Sequence, residues 1–267
     1  MYTAPFQYLR ANSVADAEQL FKEHADAKYL AGGQTLIPTM KQRLATPPAL
    51  IDIGRIGALS FIRREKDKLV IGAGTRHADV ADSAEVKAAV PALAVLAGQI
   101  GDPAVRHKGT LGGSLANNDP AADYPAAALA LGARVRTTRR VIDAREFFTG
   151  LFETALEEGE IITEVAFPVP ERTGYAKFPN PASRYALVGV FVAKFRDAVS
   201  VAVTGAAPCV FRHTEMERAL ARSFSPDAVA GVKVSADGLN SDLFASAEYR
   251  AHLIGVMAKR AVAAALQ

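Results

Sequence analysis

The sequence predicts an α+β chain in two folded units, and three observations predict it. Short helix-period and strand-period segments are interspersed up to Phe167. The stretch Pro168-Val169-Pro170-Glu171-Arg172-Thr173-Gly174 carries two prolines and a glycine in seven residues, which breaks regular structure and suits a linker. Beyond it, an apolar hairpin leads into two or three helices. The expected units are residues 1–170, parted near residue 56 into 1–56 and 57–170, and residues 175–267.

The first element expected is a helix over 13–24, opened by Ser13 and Asp16, with Val14, Ala17, Leu20 and Phe21 on one face. A short strand at 28–31 runs into Gly32-Gly33, and a helix over 35–44 follows, stopped by Thr46-Pro47-Pro48. A strand at 50–53 completes a small α/β unit. Two strands within 61–71 turn at 65–68, and helical pieces are expected at 78–81 and 91–99. The glycine-rich segment 109–116 precedes an alanine-rich helix at 124–131. Paired strands at 134–143, a helical turn at 144–148 and a strand at 161–167 lead to the breaker. Then come strands 187–195 and 198–204 around Arg196-Asp197, and helices at 214–222, 226–229 and 242–266.

Composition excludes several classes. Half of the 267 residues are hydrophobic, enough for a substantial core, but no apolar run approaches the roughly 20 residues that span a bilayer. Met1–Pro5 shows no basic patch followed by an apolar run, so no signal peptide is expected and the chain is assigned to the cytoplasm. Net charge is +3, with no dense Lys/Arg run among aromatics, which argues against nucleic acid as a partner. Arg134, Arg136, Arg139 and Arg140 alternate with apolar residues as the solvent face of a hairpin. Five histidines lie scattered, none paired at helical spacing, so no metal site is expected. Cys209 is the single cysteine. It allows no disulfide, and it allows no iron–sulfur cluster held by this chain alone, since such clusters take about four thiolates.

Two segments carry the chemistry. In Tyr29-Leu30-Ala31-Gly32-Gly33-Gln34-Thr35 a strand, paired glycines and a helix start follow in order. Glycines let an anion approach the backbone, free N–H groups and the helix dipole favour it, and Thr35 adds a hydroxyl. An ordinary strand-to-helix turn is the competing reading. The second segment, residues 109–125, packs three glycines, Thr110, Ser114, two amides and two carboxylates into 17 residues. Such material stays ordered by bonding to itself or to a polar ligand. Gly112, Gly113, Ser114 and Ala116 permit close approach, and Asp123 can accept from ligand hydroxyls. Together the segments suggest a phosphate-rich cofactor held from two directions. The stretch Val70–His77 begins like a dinucleotide fingerprint, but His77 takes the third glycine's place and no acid follows at the ribose distance, so no Rossmann site is expected there.

Ala31–Thr35, Thr110-Leu111-Gly112-Gly113-Ser114 and Asn118–Asp123 closely resemble the two FAD motifs of molybdenum hydroxylase flavoproteins, of the aerobic carbon monoxide dehydrogenase medium-subunit type. The likeness spans the chain, including Ile100–Arg106 and Gly159–Val165. It implies a PCMH-type FAD domain of two subdomains and a smaller α+β C-terminal domain, with FAD between them. Ala31, Gly32, Gly33, Gln34, Thr35, Thr110, Gly112, Gly113 and Ser114 would then hold the pyrophosphate, with Leu36, Gly101 and Asn117 alongside. Asp123 would bond ribityl or ribose hydroxyls, Ile162 would touch the flavin rings, and Lys177 and Tyr185 would approach from the C-terminal domain. His107 departs from the asparagine frequent there, with no clear consequence for FAD.

In that family a large subunit with molybdopterin oxidises substrate, and a small subunit with two 2Fe–2S clusters passes electrons to FAD. The expected function is therefore an electron-transfer subunit in a dimer of heterotrimers, with no catalytic acid or base of its own. The alternatives are a stand-alone FAD-dependent reductase of related fold, such as the enolpyruvyl reductase of cell-wall synthesis, and a binding module that has lost its ligand. The first needs a substrate-binding set in the last domain, where no convincing one is found beyond Arg184, Arg196 and Arg212. Intact Gly32, Gly33, Gly112, Gly113 and Asp123 argue against the second.

Overall fold

The computed structural model describes residues 2–267. Strand β1 (Gln7–Arg10), helix α1 (Val14–Glu23), β2 (Lys28–Leu30), α2 (Leu36–Lys41) and β3 (Ala49–Asp52) form the first layer. Its parallel sheet has the order β1-β3-β2. α1 starts where Ser13 Oγ accepts from the Asp16 N–H at 3.0 Å and turns Ala17 inward. Replacing Ser13 with alanine should cost about 1 kcal/mol, seen as a lower urea midpoint at unchanged slope. α2 is shorter than expected because Arg43 takes φ +63° just past its end. β1 was not foreseen, since its residues are mostly exposed and do not alternate.

A second, antiparallel sheet joins β4 (Ile62–Glu65) and β5 (Lys68–Gly72) to β6 (Arg134–Thr137), β7 (Val141–Asp143) and, far along the chain, β10 (Ile162–Pro168). β10 pairs between β5 and β6. Leu69, Ile71, Val135, Val165 and Phe167 point to one face, beneath helices. These include α3 (His77–Asp82), α4 (Ala84–Ala89), α5 (Pro91–Gly98), α6 (Pro103–Arg106), α7 (Leu111–Asn117) and α8 (Tyr124–Leu131). The other face is polar: Glu164 bridges Arg63 and Arg136 at 2.9 Å each. Arg134, Arg136, Arg139 and Arg140 are exposed, as their alternation suggested. After α9 (Ala144–Phe147), the small hairpin β8 (Phe148–Gly150) and β9 (Glu153–Thr154) is tied to the end of α7. There Asn118, at φ +42°, donates from Nδ2 to the Gly150 and Glu153 carbonyls at 2.9 and 2.7 Å.

The third sheet runs in the order of its strands: β11 (Arg172–Pro179), β12 (Ala186–Lys194), β13 (Val199–Thr204) and β14 (Phe211–Arg212). The proline-rich breaker is shorter than it reads, because β11 begins inside it and leaves 169–171 irregular. Gly174 there lies so close to α12 (Ala247–Ala265) that a side chain would overlap the Ala261 carbonyl. β12 is buried along nearly its whole length because both faces are covered. Val188, Val190 and Val192 meet α12 and α10 (Thr214–Arg222), with α11 (Pro226–Ala230) behind them. Phe191, Ala193 and Ala202 face the core built around α8. Hydrogen bonds reinforce that joint: Thr204 Oγ1 donates to the Ala122 carbonyl at 2.6 Å, and the Gly205 N–H to Pro120 at 2.7 Å. α12 starts later than expected, at Ala247, since Asp242 folds 242–245 into a turn.

Candidate functional site

The two glycine segments meet. A Cβ on Gly32 would overlap the Lys108 carbonyl oxygen and come 2.8 Å from Gly109 Cα, so the loops touch only because residue 32 has no side chain. Gly33 serves differently, with a φ of +69° that side chains rarely adopt. The second segment is a helix, α7, rather than a loop, although glycine disfavours helices. Gly112 explains this: its missing Cβ admits Ala73, 2.6 Å from where that Cβ would lie, seating α7 on the second sheet. Thr110 caps α7 by accepting from the Gly113 N–H at 3.2 Å.

Between the loops lies a cavity of about 610 Å³, within the range that holds small-molecule cofactors. Ala31, Gly32, Gly33, Gln34, Thr35 and Leu36 form one wall; Gly101, Thr110, Gly113, Ser114, Asn117 and Asp123 form another; Tyr185 closes it from the third sheet's side. Three expected residues lie outside the lining. Gly112 packs on Ala73, and Ile162 is buried in β10 opposite Thr137. Lys177 sits behind the wall, its Nζ 2.9 Å from Asp123 and 2.8 Å from the Gln99 carbonyl.

Asp123 is buried, and the Tyr175 hydroxyl also donates to it. Burial pushes this carboxyl above its ordinary value, while the Lys177 ammonium and the Tyr175 hydroxyl pull it back toward the anion. Burial likewise raises Asp119 against the Ala121 N–H that it accepts. Burial raises the Tyr185 phenol, with the charges of Asp119 and Asp123 adding to it and the Thr35 hydroxyl opposing. Arg106 braces the floor, donating to the Ile100 and Gly101 carbonyls at 3.1 and 3.0 Å.

Sequence reasoning missed Tyr175 and His77. Tyr175 gave no local signal, lying 52 residues from its partner. His77 ends the segment rejected as a dinucleotide turn; Gly72 and Gly74 of that segment pack on Leu59, but His77 lines the cavity and is 95% buried. Burial and the Arg106 charge lower it to about 4, so its ring is neutral. Its Nδ1 has no partner, nor has the buried Tyr124 hydroxyl, and an unpaired buried polar atom costs about 1–3 kcal/mol.

Fold and cavity define an α+β protein whose glycine loops, hydroxyls and buried carboxylate suit a phosphate-bearing, hydroxyl-rich ligand. A family model described as the FAD binding domain in molybdopterin dehydrogenase matches residues 4–170. The carbon monoxide dehydrogenase medium chain of Hydrogenophaga pseudoflava is 38% identical, covering 97% of this chain and 96% of that one. The glyceraldehyde dehydrogenase medium chain of Sulfolobus acidocaldarius is 33% identical, covering 98% of each. A solved carbon monoxide dehydrogenase from H. pseudoflava, lacking the Mo-pyranopterin moiety, superimposes with a TM-score of 0.90 at 37% identity, covering 100% of this chain and 99% of that one.

The chain belongs to the FAD-binding family of the molybdopterin dehydrogenases, as a medium subunit of the carbon monoxide dehydrogenase type. Its cofactor is FAD, and it is a component of an oxidoreductase. The residues present fit that group. The glycine loops leave backbone open to a diphosphate, Thr35 and Ser114 supply hydroxyls, and Asp123 presents an acceptor for sugar hydroxyls.

Proposed function

We propose that the chain holds FAD in this cavity and serves as the electron-relay subunit of a heterotrimeric molybdenum hydroxylase. The observation that carries the reading is the cavity itself, where two glycine segments and a buried, lysine-paired carboxylate converge. Ala31–Thr35 with Thr110, Gly113 and Ser114 would hold the diphosphate, and Asp123 the ribityl or ribose hydroxyls. Tyr185 would close the site, while Lys177 and Tyr175 would keep Asp123 in its accepting form. Once bound, FAD would supply the redox chemistry between a small partner's 2Fe–2S clusters and an external acceptor. Backbone N–H groups of the loops orient the cofactor and offer fixed dipoles to negative charge.

One cysteine supports this division of labour, because the chain cannot ligate a cluster itself. Relatives named for carbon monoxide and for glyceraldehyde align over nearly the full length, which supports placing substrate oxidation on a large molybdopterin subunit. The assembly is proposed as a dimer of heterotrimers in the cytoplasm; no helix among the described residues is long and apolar enough to cross a membrane. On this reading residues 1–170 form the FAD domain, in subdomains 1–56 and 57–170, and residues 175–267 the C-terminal domain.

Co-purification with the products of neighbouring genes should give a complex with FAD, iron and molybdenum whose flavin absorbance bleaches on reduction. A folded complex without flavin would overturn the proposal.

A further inference from the structure

Resting on the reading of the cavity as the FAD site, we propose that His77 is a further cofactor-binding residue. Its Nε2 proton would be donated to a diphosphate oxygen held by the 109–114 loop.

His77 lines the cavity, and its N–H donates to the Gly109 carbonyl at 3.0 Å. The ring edge carrying Nε2 lies against Gly109, 2.5 Å from where a Cβ would stand, so that glycine makes room for the imidazole. His77 is thus built into the loop proposed to hold the diphosphate.

Four buried side-chain polar atoms among the described residues lack a partner, and two of them, His77 Nδ1 and the Tyr124 hydroxyl, belong to adjoining rings. The ring centroids lie 5.4 Å apart, tilted by 47°. A ring there for packing alone would need no nitrogen, and phenylalanine would fill position 124 without a dry hydroxyl.

Burial and the Arg106 charge oppose a second proton on the ring, so the imidazole has one N–H to give. On Nε2 that proton lies on the ring edge against Gly109, in the cavity wall. The opposite tautomer would put the proton on Nδ1, which has no partner, and leave Nε2 as a lone pair that an anionic oxygen repels.

The test uses the full complex and three probes: FAD, ADP and riboflavin. His77→Phe keeps the ring volume without an N–H, and His77→Gln keeps a side-chain N–H. The Phe variant should bind FAD and ADP about ten- to a hundredfold more weakly, as for a lost hydrogen bond to a charged group. Its riboflavin affinity should not change, because riboflavin has no diphosphate. The Gln variant should recover most of the loss. Wild-type affinity for ADP in the Phe variant would overturn the proposal, as would an equal loss for riboflavin, which marks a structural role. If the variants do not fold, a crystal structure of the FAD-loaded wild-type complex decides. Nε2 within about 3.2 Å of a diphosphate oxygen supports the assignment, and a distance beyond about 3.5 Å overturns it. A wild-type complex that binds no FAD defeats the functional reading instead.

Discussion

Replacing Lys177 with methionine should destabilise the fold by about 3–5 kcal/mol, because it strips the counter-ion from a buried carboxylate. The Asp123 and Lys177 side chains are 5% and 2% exposed, so water does not compensate. Methionine keeps most of the lysine stem's volume and isolates the electrostatic loss. The effect carries a sign in pH. Burial already raises Asp123, and without the ammonium the carboxyl rises further. An acid whose folded pKa lies above its unfolded value of about 3.9 contributes stability below that value and loses it as pH rises through the folded one. The deficit of Lys177→Met against wild type should therefore be small near about pH 4 and full near about pH 8, by thermal unfolding at each pH. Adding Asp123→Asn should restore much of it by removing the stranded charge. An equal deficit at both pH values would mean that Lys177 acts through its bond to the Gln99 carbonyl instead.

Gly32→Ala should cut FAD affinity by about ten- to a hundredfold, matching an overpacking cost of about 1–3 kcal/mol. The added Cβ would meet the Lys108 carbonyl and Gly109 Cα, which are backbone and cannot turn aside. The loops must part, and the two halves of the proposed diphosphate cradle part with them. Gly231→Ala is the control, since a Cβ there meets nothing within 4 Å. Flavin content after gel filtration and fluorescence titration read the result. Unchanged FAD affinity in the Gly32→Ala complex would show that the loops need not touch.

What could be read from the sequence was local. Paired glycines after a strand, and a polar, glycine-dense run, mark chain built for close approach, and the structure brings both to one cavity. The apolar runs at Tyr124–Leu131 and Ala186–Lys194 became a fully buried helix and a strand covered on both faces. Features fixed by distant partners were hidden. Helix α7 runs through two glycines because Ala73, some 40 residues away, needs the space at Gly112. Nothing near Lys177 says that its ammonium turns to Asp123, or that Tyr175 joins it. His77 read as a flaw in a failed motif, because burial and the approach of Gly109 exist only once the chain has folded. β1 escaped notice because it carries its one aromatic outward, with Tyr8 54% exposed.

The bonds from Thr204 and Gly205 to the carbonyls of Ala122 and Pro120 bear on how such subunits can be recombined. The segment that delivers Asp123 is braced by strands from the far end of the chain, and Phe191 and Ala202 complete the core under α8. A chimera joined at residues 169–171 would inherit a glycine cradle from one parent and the brace for its carboxylate from another. Exchange should therefore succeed only between parents whose Pro120–Asp123 and Thr204–Gly205 segments match, however well the junction itself is tolerated.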